Sequence, residues 1–171
     1  MEQVDRSDLK FEPLGDHDRA AFSCGNEALD TYIKRQGSQD VRKKAAVVYV
    51  LTQDGKTILG FYTLSQYSIQ FNDIPAEIAK KFPKYPVVPA TLLGRLARHE
   101  STRGQGIGEM LLMHALHSAL DMSSQIASAA IVTDAKDQKA VDFYRHYGFI
   151  ELPKIERRLF IPMATVEQLF R

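Results

Sequence analysis

Apolar residues recur along this chain of 171 residues with two different periods, and the alternation of those periods predicts its elements. Residues 11–14 predict a short first strand, closed by Pro13 and Gly15. Phe22-Ser23-Cys24-Gly25-Asn26 is a turn in which Asn26 is placed to cap a helix, with Glu27 favourable in its first turn. Ala28, Leu29, Tyr32 and Ile33 give that helix an apolar face, and residues 36–44 read as a loop or a second short helical piece. Residues 46–52 predict a buried strand rich in β-branched and aromatic side chains, followed by a hairpin turn at Asp54-Gly55. Residues 58–69 predict a long strand with Gly60 at a bulge, and residues 74–82 a short helix. Pro83, Pro86 and Pro89 then force an extended connection, after which Thr91 begins the central strand.

The stretch 92–120 organises the rest. An apolar, strand-like run passes through the charged turn Arg98-His99-Glu100-Ser101-Thr102 into Arg103-Gly104-Gln105-Gly106-Ile107-Gly108. Ile107, Met110, Leu111, Ala115, Leu116 and Ala119 then follow the three- and four-residue spacing of a buried helical face. Residues 126–134 predict another buried strand, and residues 137–146 a helix with an apolar stripe at Ala140, Phe143, Tyr144 and Tyr147, ended by Gly148. Residues 149–150 and 158–162 predict the last strands, and residues 164–170 a terminal helix capped by Thr165. Strands and helices alternating after an early hairpin imply a mixed α/β sheet.

Composition changes this picture little. The length suits one compact domain, and 44% hydrophobic with 25% charged residues is an ordinary globular mixture. Twenty-two basic against 21 acidic residues leave no net charge that would by itself predict a nucleic-acid partner, so any such partner needs a local patch. The single cysteine, Cys24, excludes an intrachain disulfide and points to a reducing, cytoplasmic setting. The polar N-terminal stretch is unlike a signal peptide, and no apolar run has the length of a membrane span.

A strand ending in glycines before a helix exposes backbone N–H groups that suit a phosphate. No Lys-Ser/Thr pair follows these glycines, which excludes a P-loop, and the third glycine of a dinucleotide fingerprint would fall one residue after Gly108. The pattern that remains, Arg103-x-x-Gly106-x-Gly108, resembles the pyrophosphate loop of the GCN5-related N-acetyltransferases (GNAT). Downstream, Asp137-x-x-Ala140-x-x-Phe143-Tyr144-x-x-x-Gly148-Phe149 is similar to that family's second motif, with Asp137 in place of the usual asparagine. The resemblance implies one α/β domain over residues 1–171, with a mixed, mostly antiparallel sheet, splayed central strands and flanking helices. It divides the chain into an acceptor-side half to about residue 90, an acetyl-CoA-binding core at about 91–150 and a C-terminal strand and helix at 151–171.

By the same resemblance acetyl-CoA is the co-substrate and no metal takes part. Its pyrophosphate lies over Arg103, Gly104, Gln105, Gly106, Ile107 and Gly108, its pantetheine arm pairs beside Leu96, Ala97 and Arg98, and Asp137 and Phe143 complete the contacts. Tyr144 is the catalytic residue, placed to protonate the departing sulfur, and a central-strand N–H stabilises the oxyanion. Asp137 also reads as a helix cap, Tyr144 as a core aromatic, and Cys24 as a buried structural thiol rather than a nucleophile. His99, Glu100 and Asp134 are the candidates for a base, but an α-amine titrating near about 8 needs none.

Phe22-x-Cys24-Gly25, Leu29-Asp30-x-Tyr32, Tyr85-Pro86-Val87, Leu93-Gly94-Arg95-Leu96-Ala97 and Arg158-Leu159-Phe160-Ile161-Pro162-Met163 further resemble the acetyltransferase toxins of bacterial toxin–antitoxin pairs. That resemblance implies acetylation of the amino-acid amine of aminoacyl-tRNA, a ribbon-helix-helix antitoxin as partner, and a homodimer with exposed apolar residues in 160–170. Lys34, Arg35, Arg42, Lys43, Lys44 and Arg95, with Lys80, Lys81 and Arg98, are the candidates for tRNA contact; Arg95 is either a phosphate ligand or one side of a salt bridge. The alternatives are an acetyltransferase for a small amine or a protein N-terminus, and a non-catalytic acyl-CoA-binding regulator.

Overall fold

The computed structural model describes residues 3–171; Met1 and Glu2, the start of the polar N-terminal stretch, lie outside the described residues. The strands are β1 (Lys10–Pro13), β2 (Val47–Thr52), β3 (Gly60–Gln70), β4 (Val87–Arg98), β5 (Ala130–Asp134), β6 (Ile150–Glu151) and β7 (Arg158–Pro162). The helices are α1 (Glu27–Thr31), α2 (Gly37–Arg42), α3 (Ala76–Ala79), α4 (Ile107–Met122), α5 (Gln138–His146) and α6 (Met163–Leu169). The strands follow the order β1-β2-β3-β4-β5-β7-β6. The pairs β1–β2, β2–β3, β5–β7 and β6–β7 are antiparallel and β4–β5 is parallel, the mixed and mostly antiparallel sheet that the resemblance implies.

The chain forms two compact units, each assembled from two stretches: Met1–Ser65 with Gly94–Ala115, and Gln66–Leu93 with Leu116–Arg171. In the first, Asn26 caps α1 by accepting from the N–H of Leu29 at 3.1 Å, the role its position predicts. The polar run after it is helical as far as Arg42: a π-helical turn, Tyr32–Gln36, leads directly into α2, and Lys43 and Lys44 form the turn that follows. Tyr32 and Ile33 are buried there with Phe22, Val48, Val50, Ile58 and Phe61, which forms the core beneath β2 and β3. Gly60 is not a bulge. It pairs in register with Leu51, and a side chain there would meet Leu111 Cδ1 at 2.7 Å and the Ala97 carbonyl at 3.0 Å.

The second unit is built around Ile69, Val88, Ala90, Ala130, Val132 and Phe160. Its central strand starts four residues earlier than Thr91. Val87 and Pro89 are exposed while Val88 and Ala90 are buried, so the proline-bearing run has the period of a half-buried strand. At the other end β5 begins only at Ala130: Ile126, expected inside a buried strand, is 66% exposed. The N–H of Ile126 bonds back to Met122, so this stretch closes the end of α4 rather than joining the sheet. α5 buries Val141 and Tyr144, while Phe143 and Tyr147 are only half-buried; the stripe expected through Ala140, Phe143 and Tyr147 had omitted Val141. Gly148 ends α5 with φ of +99°, as a glycine cap requires. α6 starts at Met163 with Pro162 before it, so Thr165 lies inside the helix and does not cap it. Within 160–170, Phe160, Ile161 and Val166 are fully buried, and of the large apolar residues there only Leu169 and Phe170 are exposed.

Candidate active site

The loop from β4 to α4 is held at both flanks by main-chain bonds. His99 N–H donates to the Leu59 carbonyl (2.7 Å), Glu100 N–H to the Ser23 carbonyl (2.8 Å) and the Thr102 hydroxyl to the His99 carbonyl (2.7 Å). Past this anchor, Gly104 and Gly106 both take positive φ, +78° and +75°. The N–H groups of Arg103 and Gln105 close the turn on the Glu100 and Thr102 carbonyls, at 3.3 and 3.1 Å, and the first turn of α4 adds donors that no carbonyl within the helix can satisfy. Around Gly104 a side chain would meet nothing within 4 Å, so that side of the loop is open. An open hollow of about 460 Å³ lies there, lined by Gln3, Val4, Arg6, Arg103, Gly104, Gln105, Gly106 and Ile107. Two arginines, no carboxylate among the described residues and the positive end of a 16-residue helix make this a place for an anion, and the residues fit a pyrophosphate.

Arg6 and Val4 carried no signal in the sequence, being about a hundred positions from the loop they line. Gly108, inside α4, is half-buried. Leu96 and Arg98 are half-buried and Ala97 is buried, all at the C-terminal end of β4, beyond the residues Thr91, Leu92 and Leu93 that pair with β5.

Two of the three groups considered as bases, His99 and Asp134, are engaged elsewhere. His99 Nδ1 accepts from the Ser101 N–H (3.1 Å) while Nε2 lies 3.2 Å from the Ala21 carbonyl, so Nε2 carries the proton and neither nitrogen is left to take one. Asp134 receives Arg158 Nε and Nη2 at 2.6 and 3.0 Å, a two-point ion pair. Glu100 is exposed and accepts from the Ser23 hydroxyl at 3.2 Å. Cys24 is half-buried, its N–H bonded to Asp30 Oδ1 and its sulfur 3.6 Å from the Asn26 carbonyl, which is a structural setting.

In the second unit Tyr144 is buried, 7% exposed, and its ring is packed against Phe143 and Phe149. Burial pushes its phenol above the ordinary value, and a hydrogen bond with Thr133 opposes part of that rise. Thr133 donates its hydroxyl proton to the Leu93 carbonyl at 2.9 Å. If the phenol loses its proton, the same hydroxyl can rotate to support the phenolate. Thr133 was readable as an oddity, a polar residue in the apolar run of β5. Asp137 caps α5, with Oδ1 accepting from the Ala140 N–H at 2.8 Å, so one carboxylate oxygen is committed to the helix.

Lys34, Arg35, Arg42, Lys43 and Lys44 are all exposed around α1 and α2, and Lys80 and Lys81 are exposed beyond α3. Arg95 stacks its guanidinium 3.7 Å from the centre of the Tyr32 ring, and its charge adds to the hydrogen bond from Gln36 in holding the Asp40 carboxyl below its usual value. Among the described residues no cluster of His, Cys, Asp and Glu has the form of a metal site, and no helix is long and apolar enough to cross a membrane.

The acetyltransferase (GNAT) domain matches residues 44–151. The probable toxin TacT of Sinorhizobium fredii is 33% identical over 169 residues, 93% of this chain and 93% of that protein. Among solved structures, AtaT complexed with acetyl-methionyl-tRNAfMet is similar at a TM-score of 0.88 and 33% identity, covering 96% of this chain and all of that one. A tyrosine-to-phenylalanine mutant of AtaT bound to the C-terminus of the antitoxin AtaR and acetyl-CoA is similar at a TM-score of 0.82 and 30% identity, covering 95% and 98% of the two chains. By the domain it matches and the relatives it resembles along nearly its whole length, the chain belongs to the GNAT family and is an acetyl-CoA-dependent N-acetyltransferase.

Proposed function

We propose that the acceptor is the amino-acid amine of aminoacyl-tRNA and that the protein is a translation-blocking toxin. The observation that carries the reading is the carboxylate-free glycine cradle, in a chain similar along its length to a protein solved with acetyl-methionyl-tRNA. The exposed cations Lys34, Arg35, Arg42, Lys43 and Lys44, with the stacked Arg95, supply the local basic surface that a nucleic-acid acceptor needs.

Bound acetyl-CoA supplies the thioester carbonyl that the amine attacks. Residues 103–108 hold its pyrophosphate by the backbone N–H groups that remain after those of Arg103 and Gln105 bond the Glu100 and Thr102 carbonyls, and the edge at Leu96, Ala97 and Arg98 pairs with its extended arm. The neutral fraction of an α-amine with a pKa of about 8 is the reacting species. As its nitrogen bonds the acetyl carbon and the carbon–sulfur bond breaks, Tyr144 delivers its phenol proton to the departing sulfur, and the proton shed by the new amide nitrogen passes through solvent to restore the phenol.

The setting is cytoplasmic, and the partner is an antitoxin with a ribbon-helix-helix DNA-binding domain, as AtaT binds AtaR. The exposed Leu169 and Phe170 support a homodimer. The test is single-turnover transfer of radiolabelled acetyl groups to a panel of charged tRNAs, free amino acids and peptide N-termini. Label retained on tRNA and lost on deacylation supports the reading; label only on free amines or peptides overturns it. No transfer to any acceptor, with acetyl-CoA bound, would leave a regulator instead.

A further inference from the structure

We propose that Arg6, carried by the N-terminal segment, is a direct ligand of the acetyl-CoA pyrophosphate and completes the glycine cradle. This rests on the reading of that loop as the pyrophosphate site. The segment is fastened to the loop at defined points. Val4 N–H donates to Gln105 Oε1 at 2.7 Å, an Arg6 Nη2–H donates to the Gln105 carbonyl at 2.5 Å, and Gln53 Nε2 donates to the Asp5 carbonyl at 3.1 Å. Asp5 caps the turn Arg6–Asp8 through the Ser7 N–H and hydroxyl, which fixes the direction in which the Arg6 side chain leaves the backbone. Its guanidinium lies directly against Gly106: a Cβ built there would stand 2.7 Å from Nη2.

Two features separate this from a surface arginine. Pinning a long, exposed side chain costs rotamer entropy, and a single bond to one carbonyl is a weak return for it. Arg6 also shares the hollow with Arg103 beside the positive end of α4, and among the described residues neither arginine forms an ion pair with Asp or Glu. Three positive sources converging without a counter-charge repel one another until a dianion enters. A guanidinium spends one N–H on the Gln105 carbonyl and keeps its planar fork for phosphate oxygens, a geometry that lysine does not reproduce.

The test is calorimetric binding of coenzyme A, of dephospho-coenzyme A, which lacks the 3′-phosphate, and of acetyl-pantetheine, which has no phosphate, to the intact protein and to Arg6→Ala and Arg6→Lys. Arg6 is exposed and outside both cores, so the variants fold, and equal melting temperatures check this. The expected result is a loss of about 10- to 100-fold in affinity for both coenzyme A forms in Arg6→Ala, a partial recovery in Arg6→Lys, and no change for acetyl-pantetheine. Unchanged affinity in Arg6→Ala overturns the proposal and leaves the loop assignment standing. Tighter binding also overturns it, showing that the segment competes with the pyrophosphate. A loss seen with coenzyme A but not with its dephospho form moves Arg6 to the 3′-phosphate and overturns the pyrophosphate assignment. Failure of the unaltered protein to bind coenzyme A overturns the reading of the site on which the proposal stands.

Discussion

Arg95 stacks its guanidinium 3.7 Å from the centre of the Tyr32 ring, and the Tyr32 hydroxyl donates to Asp40 Oδ2 at 2.9 Å. Burial and that bond push the Tyr32 phenol up to about 12, so the ring stays neutral and electron-rich beneath the cation. A π-helical turn carries Tyr32, an irregularity often retained where a side chain must be aimed. The stack holds a strand arginine in a fixed orientation, with the Asp40 carboxylate acting on its charge through space.

Arg95→Ala is therefore expected to weaken aminoacyl-tRNA binding by about tenfold and to lower the salt slope by about one unit, with acetyl-CoA affinity unchanged. Its cost to stability is about 1 kcal/mol, the scale of one cation–π contact. Filter binding across a salt series, alongside calorimetry with acetyl-CoA, checks both halves. An unchanged salt slope would remove Arg95 from the tRNA surface.

Gly60→Ala is expected to destabilise the fold by about 1–3 kcal/mol. The added methyl meets the end of Leu111, which can rotate, but also the Ala97 carbonyl at 3.0 Å, which belongs to the backbone of β4. Urea denaturation of the variant against the parent measures the cost, and a neutral result would mean that the strand shifts freely.

How much of this was legible depends on distance along the chain. Asn26, Asp54-Gly55, Asp137 and Gly148 act on neighbours within a few residues, and each plays the local part its type predicts. The glycine loop was legible for the same reason, since two positive-φ residues and a helix start are local features. The failures involve partners far apart. Nothing in 58–69 tells that the Gly60 Cα faces Leu111 and Ala97 closely enough to exclude a side chain, so a bulge was the natural reading. Arg6 and Gln105 are 99 positions apart and Arg95 and Tyr32 are brought together only by folding, so neither pair leaves a trace in spacing. Ile126 looked buried from its type alone, whereas the main chain there is spent on closing α4.

The Asp54 turn gives a pH prediction. Its carboxylate accepts from the Thr57 N–H (2.7 Å), the Lys56 N–H (2.8 Å) and the Thr57 hydroxyl (2.7 Å), and these bonds, the Thr57 N–H first, hold its carboxyl well below the usual value. A depressed folded-state pKa means stability that is present above the unfolded value of about 4 and is lost as the pH falls through the folded one. Asp54 is exposed, so the effect is that of a solvated cap rather than a buried pair. Asp54→Ala is expected to cost about 1 kcal/mol at pH 7 and progressively less below pH 4. Unfolding curves at pH 7 and pH 3 test this, and a penalty that does not shrink at pH 3 would refute it.

Tyr144→Phe is expected to leave the fold and acetyl-CoA affinity nearly intact while single-turnover acetylation falls by about two orders of magnitude or more. The ring packs against Phe143 and Phe149 in the buried face of α5, and phenylalanine keeps that area. Only the hydroxyl is lost, so the stability change is at most that of one hydrogen bond, about 1 kcal/mol. Thr133 retains its bond to the Leu93 carbonyl, which limits the damage to one side. Burial raises the phenol's pKa, so the proton stays on Tyr144 through neutral and mildly alkaline pH. Loss of rate from its ionisation therefore belongs above the ordinary value of about 10, and any alkaline limb seen at lower pH must come from another group. A phenylalanine variant that acetylates aminoacyl-tRNA at the parental rate would show that the sulfur leaves as a free thiolate. One that loses folding and activity together would make Tyr144 a packing residue.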